Sequence, residues 1–142
     1  MIVLLDTNVI MDALQERTPF DVYAKEILLR GQRGEVDCYF TANAATDIFY
    51  LYSKARSVES AKSVLSFLLK AYHVVSIDHE DCLAALKLPI DDFEGALVVA
   101  CGSKINADYI VTGDKEFLKA TADVKLISPD KFLEICYDWK NM

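Results

Sequence analysis

The chain opens Met1-Ile2-Val3-Leu4-Leu5-Asp6-Thr7-Asn8-Val9-Ile10-Met11-Asp12, a short apolar run that ends on a carboxylate. A run this short, bounded by polar residues, reads as a strand buried on both faces, which places Asp6 at its carboxyl end. Ligands of open α/β sheets bind at that end. The pattern returns at Asp108-Tyr109-Ile110-Val111-Thr112-Gly113-Asp114, where a second buried strand again ends on an acid. Two acids at strand ends invite a cation.

Outward from these two runs the pattern alternates strand with helix. Residues 8–15 read as a short helix and 20–30 as a longer one, with Pro19 at its start and Gly31 just past its end. Residues 37–41 read as a second strand. Ala44, Ile48, Leu51, Tyr52 and Ala55 recur at helical spacing, and Val58, Ala61, Leu65, Leu68, Leu69 and Tyr72 form a second stripe, so two helices follow in succession. Then come a strand at 73–77, helices at 80–86 and 92–104, a strand at 109–112, a short helix at 115–120 and a fifth strand at 124–127. Ser128-Pro129 makes an N-cap and first-turn pair for a last helix. Strands separated by helices imply an α/β fold: a three-layer α/β/α sandwich with a mostly parallel central sheet of about five strands.

The 142 residues suffice for one domain with one substantial core, and no Pro/Gly/Ser-rich linker or internal repeat divides residues 1–142. Hydrophobic residues make up 53% of the chain, yet no uninterrupted apolar stretch approaches the ~20 residues that span a bilayer. The apolar excess belongs to the core or to a contact between subunits. No basic segment precedes the first apolar run, which is too short for a signal peptide, so the expected location is cytoplasmic, with no membrane partner. Cys38, Cys82, Cys101 and Cys136 form no Cys-x-x-Cys pair and read as buried free thiols. A net charge of −7 weighs against a nucleic-acid partner, because phosphate binding draws on Lys and Arg. Acids that converge on divalent ions reverse the local field, however, and then attract phosphate.

Few of the twenty-two acids are placed for chemistry. Asp6 reads either as a cap for the helix after it, a task Thr7 or Asn8 could also perform, or as a ligand. Asp47 lies at the margin of a buried helical stripe, between Ala44 and Leu51, and points either to solvent or into a cleft between helix and sheet. In Asp91-Asp92-Phe93-Glu94, Asp91 and Glu94 have capping-box spacing, which leaves Asp92 free to open a helix face continued by Ala96 and Val99. Asp114 is a turn residue or cap that can also ligate, and Glu116 is either a supporting acid or an exposed first-turn residue. Asp12 reads as solvent-facing or as a cap. Four carboxylates in one concave site repel one another unless a cation neutralises them, and hard oxygen donors suit Mg²⁺ or Mn²⁺. Such ions activate water against a phosphodiester, with Thr112 and Asn8 orienting water or carboxylates.

With these residues in place, the chain resembles the PIN-domain family of ribonucleases, in particular the VapC-like toxins of toxin–antitoxin pairs. The resemblance covers the whole chain and rests on Leu5-Asp6-Thr7-Asn8-Val9, an acid on the helix after the second strand, Asp92-Phe93-Glu94-Gly95-Ala96-Leu97, and Val111-Thr112-Gly113-Asp114-Lys115-Glu116-Phe117. It implies a metal-dependent ribonuclease that acts on RNA, with Asp6, Asp47, Asp92 and Asp114 as metal-holding catalytic acids, an antitoxin protein as partner and a homodimer as assembly. The sequence departs from the family pattern twice. Asp47 stands where Glu is common, and Gly95 stands where many members have an Asp before the Ala-Leu pair, so that Asp92, one turn earlier, is the available substitute. A catalytically silent PIN-like module that binds RNA or protein is the alternative these departures leave. A metal-dependent phosphatase is a lesser one, since Asn8 occupies the position where a haloacid-dehalogenase-type enzyme has its second Asp.

Overall fold

The computed structural model describes residues 1–141, with side chains through Tyr137. In order the elements are β1 (Ile2–Leu5), α1 (Thr7–Leu14), α2 (Asp21–Gln32), β2 (Asp37–Thr41), α3 (Ala42–Ala55), α4 (Val58–Ala71), β3 (His73–Val75), α5 (His79–Leu86), α6 (Phe93–Lys104), β4 (Tyr109–Val111), a single 3₁₀ turn (Phe117–Lys119), β5 (Lys125–Ile127) and α7 (Pro129–Asn141). The five strands form one sheet in the order β3-β2-β1-β4-β5, and every pairing is parallel.

Alternation along the central strands divides the core into two layers, as the period-2 pleat requires. Val3 and Leu5 of β1, with Val111 of β4, face a cluster built from Val9, Ile10 and Met11 of α1, Ile27 of α2, Ile48 of α3, Leu68 of α4 and Phe132 of α7. Leu4 and Ile110, the intervening residues, face the opposite side, against Val98, Val99 and Cys101 of α6 and Phe117. Helices therefore cover both faces of the sheet, and the sandwich has three layers. Among the described residues no helix is long and apolar enough to cross a membrane.

Strand order sets the position of the site. The chain steps outward from β1 to β2 to β3, then crosses to the far side of β1 to lay down β4, so the order reverses between β1 and β4. The carboxyl ends of those two strands open a crevice at the switch point, where ligands of doubly wound sheets bind. Leu5 pairs with Val111, and the Asp6 N–H continues the ladder to the Val111 carbonyl at 3.0 Å. Asp6 and Thr112 thus leave the sheet side by side.

Three expectations need correction. Helix α2 runs through Gly31 to Gln32 and ends at Gly34, whose φ of +77° is the left-handed conformation glycine adopts without penalty. Gly31 serves close packing instead: a Cβ there would lie 2.7 Å from Cys38 Sγ. Strand β3 stops at Val75 because its neighbour β2 turns into α3 at Thr41, whose side chain caps the Ala44 N–H at 3.0 Å, leaving no ladder to extend. The stretch 115–120 makes only one 3₁₀ turn, because the chain becomes extended at Ala120 before an α-helix can propagate.

Candidate active site

Asp6, Asn8, Asp47, Asp92 and Asp114 line one cavity of about 430 Å³ at the β1–β4 switch point, together with Glu94 and Arg17. The cavity draws on five parts of the fold: the start of α1, the loop between α1 and α2, the middle of α3, the start of α6 and the loop after β4. The four acids singled out from the sequence are gathered there. Glu116 is not among the lining residues; it is exposed, and its carboxylate pairs with Lys119 at 3.3 Å. The turn after Asp114 places it at the surface, the exposed position that the sequence also allowed, in a neighbouring cavity that Asp92 and Asp114 share.

Asp6 is the most constrained of the acids. Its Oδ1 accepts the Thr7 N–H at 2.9 Å and so caps α1, while its Oδ2 accepts from the Thr112 hydroxyl at 2.9 Å and the Asn8 amide at 3.1 Å. Thr112 is fully buried, and its Oγ1 also accepts the Asp114 N–H at 3.1 Å. Asn8 Oδ1 takes the Gly113 N–H at 2.9 Å. Asn8 and Thr112 therefore tie the end of β1 to the loop after β4. Burial pushes the Asp6 carboxyl above its ordinary value, and the charge of Asp114 adds to that, against the opposing hydrogen bonds from Thr112, Thr7 and Asn8.

Asp92 is itself the N-cap of α6, with Oδ2 accepting the Gly95 N–H at 3.2 Å, so the expected cap at Asp91 is displaced by one residue. Asp114 caps in the same manner, its Oδ1 accepting from the Glu116 and Phe117 N–H groups at 2.9 and 3.2 Å. Capping and ligation are compatible, because a carboxylate has two oxygens and about four lone-pair sites.

Sequence reasoning gave Glu94 only a capping task, yet it lines the cavity. Burial, then a hydrogen bond to Asp47 and that residue's charge, push the Glu94 carboxyl above its ordinary range, with further contributions from Asp6 and Asp92. Glu94 is thus in electrostatic reach of three of the four acids foreseen. The signal was its place in the second position of α6, visible once Asp92 is taken as the cap. Gly95, where an Asp was sought, lies with its missing Cβ 3.3 Å from the Phe117 ring and 3.4 Å from Asp92 Oδ2. Asp92 and Glu94 flank that space with carboxylates of their own.

Asp12 and Arg17 are a further pair that pattern did not reveal. Asp12 does not face solvent: its side chain is only 14% exposed and meets Arg17 Nη1 at 3.6 Å. Burial raises the Asp12 carboxyl against the lowering effect of Arg17.

Five carboxylates and one guanidinium therefore share a concave site whose ionisable lining, among the described residues, contains no thiol or imidazole. This is a hard oxygen donor set, suited to Mg²⁺ or Mn²⁺. Among the described residues, no three His, Cys, Asp or Glu side chains close on one point as a direct ligand cage. Mg²⁺ does not require such a cage, since it keeps several waters and is held by one or two carboxylates plus substrate phosphate. The residues fit a hydrated divalent ion.

A family model described as PIN domain matches residues 2–116. The chain belongs to the PIN domain family. No curated protein matches it. Among solved structures, this PIN domain is similar to a chain of VapBC2 from Rickettsia felis bound to a DNA fragment from their promoter, with TM-score 0.69 and 20% identity over 90% of this chain and 98% of that one. It is also similar to a chain of VapBC-1 from nontypeable Haemophilus influenzae, with TM-score 0.68 and 15% identity over 92% and 99% of the two chains. A chain of DNA-bound VapBC from Salmonella typhimurium gives TM-score 0.70 and 12% identity over 91% and 98%. At these identities the likeness is one of fold. Nucleases of the PIN domain family generally use divalent metal ions.

Proposed function

We propose that this PIN domain, residues 1–142 acting as one unit, is a Mg²⁺- or Mn²⁺-dependent endoribonuclease and the cytoplasmic toxin of a toxin–antitoxin pair, working as a homodimer held in check by an antitoxin protein. The observation that carries the reading is the convergence of Asp6, Asp47, Asp92, Glu94 and Asp114 on one cavity at the β1–β4 switch point. Family membership and the likeness to VapBC chains support it.

A divalent cation bound by these acids supplies Lewis-acid activation of water and of the scissile phosphodiester. The chain's own residues hold the geometry. Asp6 and Asp114 present carboxylates from the ends of adjacent strands, and the Thr112 hydroxyl and Asn8 amide fix the orientation of Asp6. Burial and the neighbouring Asp47 make Glu94 take up a proton more readily than an ordinary carboxylate, and it would join the other acids in holding the ion.

Cleavage of a mixed RNA pool tests the reading. We expect activity with Mg²⁺ or Mn²⁺, none with EDTA, and a loss of at least about 100-fold in Asp6→Asn, since even residues that only orient a metal ligand are worth 10–100-fold. Equal cleavage in all three conditions would refute it. Gly95, where an acid is common in the family pattern, favours, as a second reading, a catalytically silent binding module. Calorimetric titration with Mn²⁺ separates the two, because a silent module shows no saturable binding that Asp6→Asn removes.

A further inference from the structure

The rim of the acidic cavity carries two side chains that neither capping nor core packing explains. Tyr50 lies one helical turn beyond Asp47 on α3, lines the cavity, and leaves 57% of its surface exposed. Lys54, a further turn along, places Nζ 4.8 Å from the centre of the Tyr50 ring, a cation–π contact. An aromatic ring so exposed contributes little to the core, and the lysine holds it in place on the helix surface. Arg17, the only cation among the described lining residues, stands in the loop between α1 and α2. Its Nη1 meets Asp12 Oδ1 at 3.6 Å and its Nη2 donates to Gln15 Oε1 at 2.6 Å.

Charge makes Arg17 informative. A cavity lined by five carboxylates repels a polyanion, and a single hydrated divalent ion offsets only part of that charge. A guanidinium donates in a planar fork suited to phosphate oxygens, and Asp12 and Gln15 hold this one in advance. An exposed aromatic on the same cavity fits the way proteins take single-stranded nucleic acid, by stacking an unpaired base on a ring while cations follow the backbone. In a duplex the bases are stacked on one another and closed to such a ring.

Resting on the ribonuclease reading above, we propose that Arg17 and Tyr50 form the substrate grip of this site: Arg17 binds a backbone phosphate next to the scissile one, and the Tyr50 ring stacks an unpaired base. Asp12 is a positioning residue for Arg17.

The test measures binding apart from cleavage. Fluorescence anisotropy with a labelled single-stranded oligoribonucleotide of mixed sequence is run on the chain with Asp6 intact and Ca²⁺ in place of Mg²⁺, and a duplex of the same sequence is the competitor. Tyr50→Ala is expected to weaken binding about 10-fold, within the range for loss of one base–aromatic stack, and Tyr50→Phe to leave it unchanged. Arg17→Ala is expected to weaken it about 10-fold and to lower the slope of log K against log salt by about 0.7, the value for one phosphate contact on a single strand. Arg17→Lys should keep that slope. The duplex should compete poorly. Circular dichroism checks that each variant is folded.

Native-like variants that bind as the parent does would overturn the grip, as would a duplex that competes equally. A Phe variant as weak as the Ala variant overturns stacking. Cleavage by the unaltered chain is scored separately. Metal-dependent cleavage with unaltered binding in the rim variants sinks the grip alone, whereas a chain that neither binds nor cleaves RNA sinks both readings.

Discussion

Thr112→Val removes the hydroxyl that orients Asp6 and that also accepts from the Asn8 amide at 3.3 Å. Valine keeps the shape of threonine at a fully buried position and removes a hydroxyl that donates to Asp6 Oδ2 at 2.9 Å and accepts the Asp114 N–H at 3.1 Å. A hydrogen bond to a charged group contributes about 1.5–3 kcal/mol, and Asp114, being exposed, regains its lost bond from water. The expected loss is therefore about 2 kcal/mol at neutral pH, or a urea midpoint lower by about 1 M. Thr112→Ser, which keeps the hydroxyl and loses one methyl, should cost about 1 kcal/mol. The pH dependence distinguishes the two. Because burial raises the Asp6 carboxyl, its ionisation in the fold carries a penalty that is absent below the unfolded-chain pKa and grows as pH rises through the folded one. The Thr112 hydroxyl offsets part of that penalty. The gap between the parent and the Val variant is thus widest at neutral pH and narrows on acidification, while the Ser gap stays flat. Urea unfolding followed by circular dichroism across this range is the assay. A Val variant no weaker than the Ser variant, or a Val gap independent of pH, would refute the account.

Other consequences follow from the same charges. Saturating Mn²⁺ should raise the melting temperature at neutral pH by about 5–10 °C, the equivalent of roughly 2.7 kcal/mol at a hundredfold excess over Kd. That gain should shrink on acidification sooner than for ordinary carboxylates, because Asp6 and Glu94 are both raised and protons compete with the ion; an equal gain at acid pH would contradict it. Glu94→Gln should raise the metal-free melting temperature slightly and weaken Mn²⁺ binding in calorimetry by at least about 10-fold. At the far end of α6 from the site, Lys104 Nζ meets Asp81 Oδ2 at 2.8 Å and the Ser76 carbonyl at 2.9 Å, tying α6 to α5 and to the end of β3. The hydrogen bond from Lys104 lowers the Asp81 carboxyl, so this stability is present above the unfolded-chain pKa and is lost as pH falls through the folded one. Lys104→Met should therefore cost about 1 kcal/mol at neutral pH, screening by solvent at the half-open ammonium included, and next to nothing in strong acid; thermal melts at the two pH values check it.

The architecture was legible because β1 and β4 are apolar on both faces and stop on polar residues, a pattern that only a sheet covered by two helical layers produces. Asp6 and Asp114 were legible with it, since a strand end fixes an acid's position to within a residue. Acids on helices were harder to assign. Asp91-x-x-Glu94 and Asp92-x-x-Gly95 offer the same cap spacing one residue apart, and a shift of one residue turns a helix by about 100° and changes which acid faces the sheet. Reading the cap at Asp91 kept Asp92 in the site but hid Glu94. The Asp12–Arg17 pair was invisible for another reason: it joins a helix to the loop beyond it, and no periodicity extends into a loop. Gly31 reads as a helix end by composition, whereas its role comes from Cys38, a strand residue that packing alone brings near.

The capping acids explain how so much negative charge is held in place. Asp6, Asp92 and Asp114 each commit an oxygen to backbone N–H groups at the start of a helix or turn, where the local dipole favours a carboxylate. Those bonds serve the fold whether or not a cation is bound, and they anchor three acids before any ligand arrives. Repulsion among them cannot be relieved by swinging one away without uncapping the element it starts. The two acids that cap nothing are Asp47 and Glu94, and burial, then the hydrogen bond and charge of Asp47, raise the Glu94 carboxyl. The site is therefore a half fixed by helix and turn initiation, and a half that caps nothing, where burial and neighbouring carboxylates hold Glu94 above its ordinary range. A cation bound in the cavity would meet three acids already placed by the chain's own capping.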